Sequence, residues 1–155
     1  MANITAAAVN ELRKRTGVGM MDCKKALVEC DGDMDKAIDY LREKGQKLAA
    51  KRADRDASEG AVLATVNADK TFAAVIMMNC ETDFVAKNED FVAFTREVLQ
   101  TAVDAKAKSL EEVMALTING LSVETMIVEQ VAKIGEKITL SHYYPIEAVA
   151  TYAYV

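Results

Sequence analysis

The chain has no tryptophan, one proline (Pro145), one histidine (His142) and three cysteines in 155 residues. A lone histidine leaves no Ser-His-Asp or Cys-His arrangement with a choice of base, and His142 reads as a side chain of an alternating strand. Cys23, Cys30 and Cys80 are odd in number, without metal-type spacing and without a histidine near. They read as reduced core thiols, with Cys23 and Cys30 on one helix face. No apolar run approaches the roughly 20 residues of a membrane-spanning helix, so no membrane partner is expected. The opening Met1-Ala2-Asn3-Ile4-Thr5 carries neither the charged nor the apolar region of a secretory leader, and the expected setting is cytoplasmic. No glycine-rich loop ends in Lys and Ser or Thr to cradle phosphate, and no carboxylate or histidine cluster suits a metal. The expectation is a protein with no cofactor, no metal and no enzymatic step of its own.

What is present is an ordinary globular composition, 51% apolar and 28% charged, within the usual range. A chain of this size buries roughly 68–70% of its unfolded surface, enough for one core and a smaller companion. The charge is uneven. Residues 1–55 hold 12 Lys and Arg against 9 Asp and Glu, a balance of +3, whereas residues 56–155 hold 7 against 15, a balance of −8. That shift places a boundary near residue 55, and the acidic larger part would repel phosphates, so nucleic acid is not expected as a direct partner.

Residues 1–55 read as three short helices and a basic connector. Thr5 is a candidate N-cap with Ile4 and Val9 as a hydrophobic staple, and Gly17 stops the first helix. After Gly17-Val18-Gly19, a second helix presents Cys23, Ala26, Leu27 and Cys30 and ends at Asp31-Gly32. Asp33 caps a third, with Ala37, Ile38 and Leu41 as its inner stripe before Gly45. Residues 44–56 are basic and Ala-rich; without an interleaved aromatic to stack a base, they read as a solvated helical linker. From Gly60 the pattern turns to strands at 61–67 and 71–78, joined by Asn67-Ala68-Asp69-Lys70. Glu89 to Asp104 reads as a helix with a wide stripe from Phe91 to Val103, followed by one or two turns over Leu110 to Ala115 and a helix over 123–132 closed by Gly135. Residues 138–144 and 147–155 read as two strands, with Pro145 marking an edge or a turn between them. The fold class is α+β: a three-helix N-terminal domain, then an antiparallel sheet of three or four strands packed with helices.

The stretch Asn79-Cys80-Glu81-Thr82-Asp83-Phe84-Val85-Ala86-Lys87-Asn88 joins the apolar run Phe72–Met78 to the helix that follows. Two readings of this corner stand. Thr82 or Asp83 caps the helix while Phe84 packs inward; or the corner displays Thr82, Asp83, Phe84 and Val85 outward, as strand-to-helix corners often do. In the glycine-flanked turn, Met20 and Met21 either fill core gaps or leave at least one side chain exposed.

The motif from Asn79 to Lys87 resembles the second signature of the elongation factor Ts family, the nucleotide-exchange factors of the GTPase elongation factor Tu. Leu12-Arg13-Lys14-Arg15-Thr16-Gly17-Val18-Gly19-Met20-Met21-Asp22-Cys23-Lys24-Lys25-Ala26-Leu27 is similar to that family's N-terminal signature. The resemblance implies a ubiquitin-associated-type (UBA-like) domain over residues 1–55 and an α+β core subdomain of the dimerisation type over 56–155. It implies that Arg13, Met20, Met21 and Lys24 contact elongation factor Tu, and that Thr82, Asp83, Phe84 and Val85 form a wedge that disturbs its Mg²⁺ and phosphate site until GDP leaves. The alternative is a non-catalytic protein-binding module using the three helices alone. Two departures stand out: Met77 occupies a position that is usually Glu in the family, and the sequence stops at Tyr152-Ala153-Tyr154-Val155, where longer members continue into a second core subdomain. Either the chain is a fragment, or it is a short form that restores a second core subdomain by forming a homodimer.

Overall fold

The computed structural model describes residues 3–154, and these divide into two compact units. One runs up to Asp54 and also takes in Val128–Glu136; the other holds Arg55–Ile127 and Lys137 onward.

The first unit contains α1 (Ala6–Thr16), α2 (Met20–Glu29), α3 (Met34–Lys51) and the second half of α7 (Val123–Ile134). Local chemistry sets the ends of these helices. Thr5 Oγ1 accepts the Ala8 N–H at 3.1 Å, and Asp33 Oδ1 accepts that of Lys36 at 3.0 Å. Gly17 closes α1 in the left-handed region at φ 69° and donates its N–H to Arg13 O. The 11 residues of α1 and 10 of α2 are marginal alone, and they share with α3 one core of Val9, Leu12, Cys23, Ala26, Leu27 and Leu41, against which Ile4, Ile38 and Ala132 also pack. Burial pushes the Cys23 thiol above its ordinary pKa, as a structural cysteine requires.

Gly45 does not end α3, which runs on to Lys51. A glycine ends a helix when it turns left-handed, and Gly45 is not among the positive-φ residues. Its use is close approach: a Cβ there would stand 3.0 Å from both Val128 O and Ala132 Cβ. The interior glycine gives up roughly 1 kcal/mol of helix propensity and lets α7 pack against it. Beside this contact Arg42 Nε donates to Glu129 Oε1 at 2.8 Å.

The second unit is built on β1 (Glu59–Val66), β2 (Phe72–Cys80) and β5 (Thr139–Glu147), antiparallel in the order β1-β2-β5. The helices α4 (Asp83–Ala86), α5 (Glu89–Asp104) and α6 (Leu110–Ala115) follow β2. Side chains alternate along β2, so Phe72, Ala74, Ile76, Met78 and Cys80 are buried, and α5 lays Phe91, Phe94, Val98 and Leu99 against β1 and β2. Tyr143 of β5 is buried and donates its hydroxyl to Ala107 O at 2.7 Å; desolvation raises its pKa to about 12.

One expectation is corrected here, and one element is added. Residues 138–155 do not form two strands parted at Pro145. β5 runs through Pro145 to Glu147, because it is an edge strand, the setting in which a proline costs no ladder bond. Residues 148–154 are irregular, held by Ala148 N to Thr71 O and Thr151 Oγ1 to Lys70 O; Val155, the last residue of the expected strand, and Met1 and Ala2 lie outside the described residues. A second, two-stranded sheet of β3 (Thr117–Ile118) and β4 (Leu121–Ser122) also forms, turning at Asn119 and Gly120 with φ of 51° and 83°. Asn-Gly with two positive φ values is the signature of a tight hairpin, and the sequence reading passed over it.

Gly60 lies opposite Asn79 in the β1–β2 ladder. A Cβ there would meet Met78 O at 2.3 Å, a backbone atom that cannot swing aside. Gly60→Ala is expected to destabilise the second unit by about 1–3 kcal/mol, read as a lower urea midpoint with unchanged slope; an unaltered midpoint would show that the ladder yields freely.

Candidate functional site: an exposed aromatic at a tethered corner

The corner begins where β2 leaves the sheet, and nearly every residue in it has a local structural task. Asn79 is buried; its Nδ2 donates to Glu59 O at 3.2 Å, and its Oδ1 accepts from Ser141 Oγ of β5. Cys80 turns its thiol to Thr82 O at 3.2 Å. Glu81 Oε1 accepts the backbone N–H of Lys137 at 2.7 Å, across 56 positions of sequence. Thr82 caps α4, its Oγ1 accepting from Val85 N at 3.4 Å. Asn88 caps α5 with one carboxamide oxygen, accepting from Asp90 N at 2.9 Å and Phe91 N at 3.2 Å.

Asp83 and Lys87 form an exposed i,i+4 ion pair at 3.0 Å. The Lys87 ammonium holds the Asp83 carboxyl below its usual range, chiefly through their hydrogen bond. A carboxyl whose folded-state pKa is depressed adds stability above its unfolded value and loses it as pH falls through the lowered one. The pair is therefore intact at neutral pH and lost only in acid, below about pH 4.

Phe84 has no such task. It is 84% exposed, on a four-residue helix whose last two residues, Val85 and Ala86, are half-buried. Of the two sequence readings, inward packing of Phe84 is set aside, while capping is real and divided differently from the expectation: Thr82 caps its own short helix and Asn88 caps the long one.

The second set of candidate residues lies in the first unit. Met20 and Met21 open α2 and are 48% and 77% exposed, so neither fills the core. Arg13 in the last turn of α1 and Lys24 on α2 are exposed as well. The reading missed Val28, 56% exposed, which falls seven residues after Met21 and so on the same side of α2; that spacing was the available signal. Among the described residues, no group of three His, Cys, Asp or Glu side chains could hold a metal ion, and no helix is long and apolar enough to cross a membrane.

Because Phe84 is nearly free of its own protein, Phe84→Ala should leave stability within about 0.5 kcal/mol of wild type, measured by chemical denaturation. Thr82→Ala should lose about 1 kcal/mol with the cap. A Phe84→Ala loss of about 3 kcal/mol or more, the size expected of a buried phenylalanine, would return this ring to the core.

Two family models match the chain. One described as "Elongation factor TS" covers residues 81–155, and one described as "Elongation factor Ts, mitochondrial, N-terminal" covers residues 1–49. Proteins named elongation factor Ts are similar along the whole of this chain: that of Christiangramia forsetii is 54% identical over 100% of it and 56% of its own length. Those of Flavobacterium johnsoniae and Rhodopirellula baltica are 52% and 50% identical, again over 100% of this chain and over 48% and 47% of their own lengths. The chain thus spans about half the length of the curated relatives it matches. With both signatures present and relatives of 50–54% identity aligned over 100% of it, the chain belongs to the elongation factor Ts family.

Proposed function

We propose that this chain acts as a guanine-nucleotide exchange module: it docks on GDP-bound elongation factor Tu during translation elongation, in the cytoplasm, and promotes GDP release without a chemical step of its own. The observation that carries this reading is the 84% exposure of Phe84 at a corner whose neighbours are held by Asn79, Glu81, Thr82 and Asn88. An aromatic kept in water on a tethered bend is suited to enter another protein.

The physical principle is reciprocity. A partner that binds the nucleotide-free GTPase more tightly than the GDP-bound form lowers GDP affinity by the same factor. In this reading Phe84 wedges beside the Mg²⁺ and phosphate site, with Thr82, Asp83 and Val85 presenting it. A buried aromatic anchor supplies about 2 kcal/mol or more, and each ~1.4 kcal/mol of differential binding is tenfold, so one ring gives only part of a large acceleration. The remainder is assigned to docking by the UBA-like helices through Met20, Met21, Arg13 and Lys24. Nucleic acid is not a direct partner in this account, given the −8 balance of residues 56–155, 7 Lys and Arg against 15 Asp and Glu. The alternative is a plain binding module resting on α2, favoured by the exposed Met21 and Val28.

A homodimer is proposed for the assembly. Tyr144 and Ile146 are each 60% exposed on the edge strand β5, and open edges pair readily. Sedimentation at micromolar concentration should then give twice the chain mass, and a single-chain mass would remove the dimer.

Phe84→Ala should slow release of fluorescent GDP from elongation factor Tu by about tenfold or more; an undiminished rate would sink the wedge. Met20→Ala with Met21→Ala should instead weaken complex formation by roughly tenfold in titration, with the rate at saturation largely kept. A wild-type chain that binds without speeding release would favour the plain binding module.

A further inference from the structure

We propose that Glu81 is a positioning residue for nucleotide release: its carboxylate fixes the Phe84 corner to the turn before β5 through the backbone amide of Lys137. The inference rests on the exchange reading above and names the group that holds its wedge in place.

The four residues of α4 are too few to keep a helix in water, since nucleation is unfavourable and a single turn returns almost no hydrogen bonds. Apart from the hydrogen bonds of Asn79 and Asn88 at its two ends, three tethers inside the corner are weak ones. Thr82 Oγ1 meets Val85 N at 3.4 Å, beyond the usual N–H···O range. Asp83 and Lys87 pair with side chains 52% and 78% exposed, where water and salt screen the attraction. The Cys80 thiol on Thr82 O is a poor donor. Glu81 differs in kind: a part-buried carboxylate at 2.7 Å from a backbone N–H forms a charge-assisted bond, roughly twice as strong as a neutral one. It also reaches outside the corner.

The donor it reaches is itself held. Lys137 Nζ donates to Arg55 O at 3.2 Å, and the next residue, Ile138, is buried. Lys137 N–H thus stands beside the buried Ile138 at the start of β5, and Glu81 ties the residues after it to that place. Position matters because a ring that must first be ordered loses binding energy to the ordering. The loss should fall on the step in which Phe84 enters the GTPase and not on docking through α2.

The test uses the 155-residue chain, fluorescent GDP on elongation factor Tu, and two variants. Glu81→Ala removes the acceptor. Glu81→Gln keeps an oxygen there without the charge, and guards against a fold too damaged to read. The release rate at saturating chain should fall about tenfold for Glu81→Ala and less for Glu81→Gln, while the half-saturating concentration stays within about twofold. In parallel, amide hydrogen exchange at Lys137 and across α4 should rise about tenfold in Glu81→Ala, with β2 amides unchanged. A saturating rate equal to wild type in both variants overturns the proposal, as does unaltered amide protection. If wild type itself fails to speed release, the exchange reading falls, and the amide-exchange arm alone then decides whether Glu81 positions the corner.

Discussion

A helix of a single turn has too few internal hydrogen bonds to offset the backbone entropy it fixes, so α4 exists only because its flanks are anchored elsewhere. The anchor that matters most is the end of β2. Asn79 there is buried and hydrogen-bonds Glu59 O on one side and Ser141 Oγ on the other, joining all three strands at the point where the chain leaves the sheet. A buried carboxamide without those partners would be heavily penalised, so the strand end can adopt few alternatives. Everything after it inherits that fixed starting direction: the buried thiol of Cys80, the reach of Glu81 to Lys137, the cap at Thr82 and the second cap at Asn88.

Seen this way, the exposure of Phe84 is a choice made against local energetics. Burying a phenylalanine is worth about 1.5–3 kcal/mol, and the same chain buries Phe72, Phe91 and Phe94. Holding the fourth one out forgoes that gain while several polar residues work to keep the bend rigid. The exposed methionines of α2 present a different kind of surface, since the flexible thioether side chain adapts to an irregular partner face. A stiff ring and a soft pair of side chains are thus exposed on different elements, α4 and α2.

Much of this was legible in the sequence wherever the signal was local. Thr5, Asp33 and Gly17 act at the helix ends that their chemistry indicates, and Glu89–Asp104 and Leu110–Ala115 form helices over the residues that the apolar periodicity marked. Failures came where a distant neighbour decides. Gly45 looks like a stop, yet Val128 and Ala132, more than eighty positions away, make a missing Cβ useful inside a helix. Pro145 allows either an edge or a turn, and only the strand order selects the edge. Nothing local to Glu81 names Lys137 as its partner. The Asn119-Gly120 hairpin differs: its turn signal is plain in the sequence, while the strands it joins are two residues each and carry no periodicity of their own. For Phe84 the residues alone allowed inward or outward, and the resemblance leaned to the outward side that the structure shows.

The ladder between β2 and β5 shifts register at one place, where Met77 faces His142 and Met78 faces Leu140. Ser141 is thus a supernumerary residue, and removing it would leave the facing of both flanks unchanged, whereas a deletion elsewhere in an alternating strand inverts everything beyond it. β5 therefore carries slack in its residue count that β1 and β2 lack. The surplus residue is also the one whose hydroxyl reaches Asn79. Length could vary here without scrambling the core, but only by giving up part of what steadies the bend.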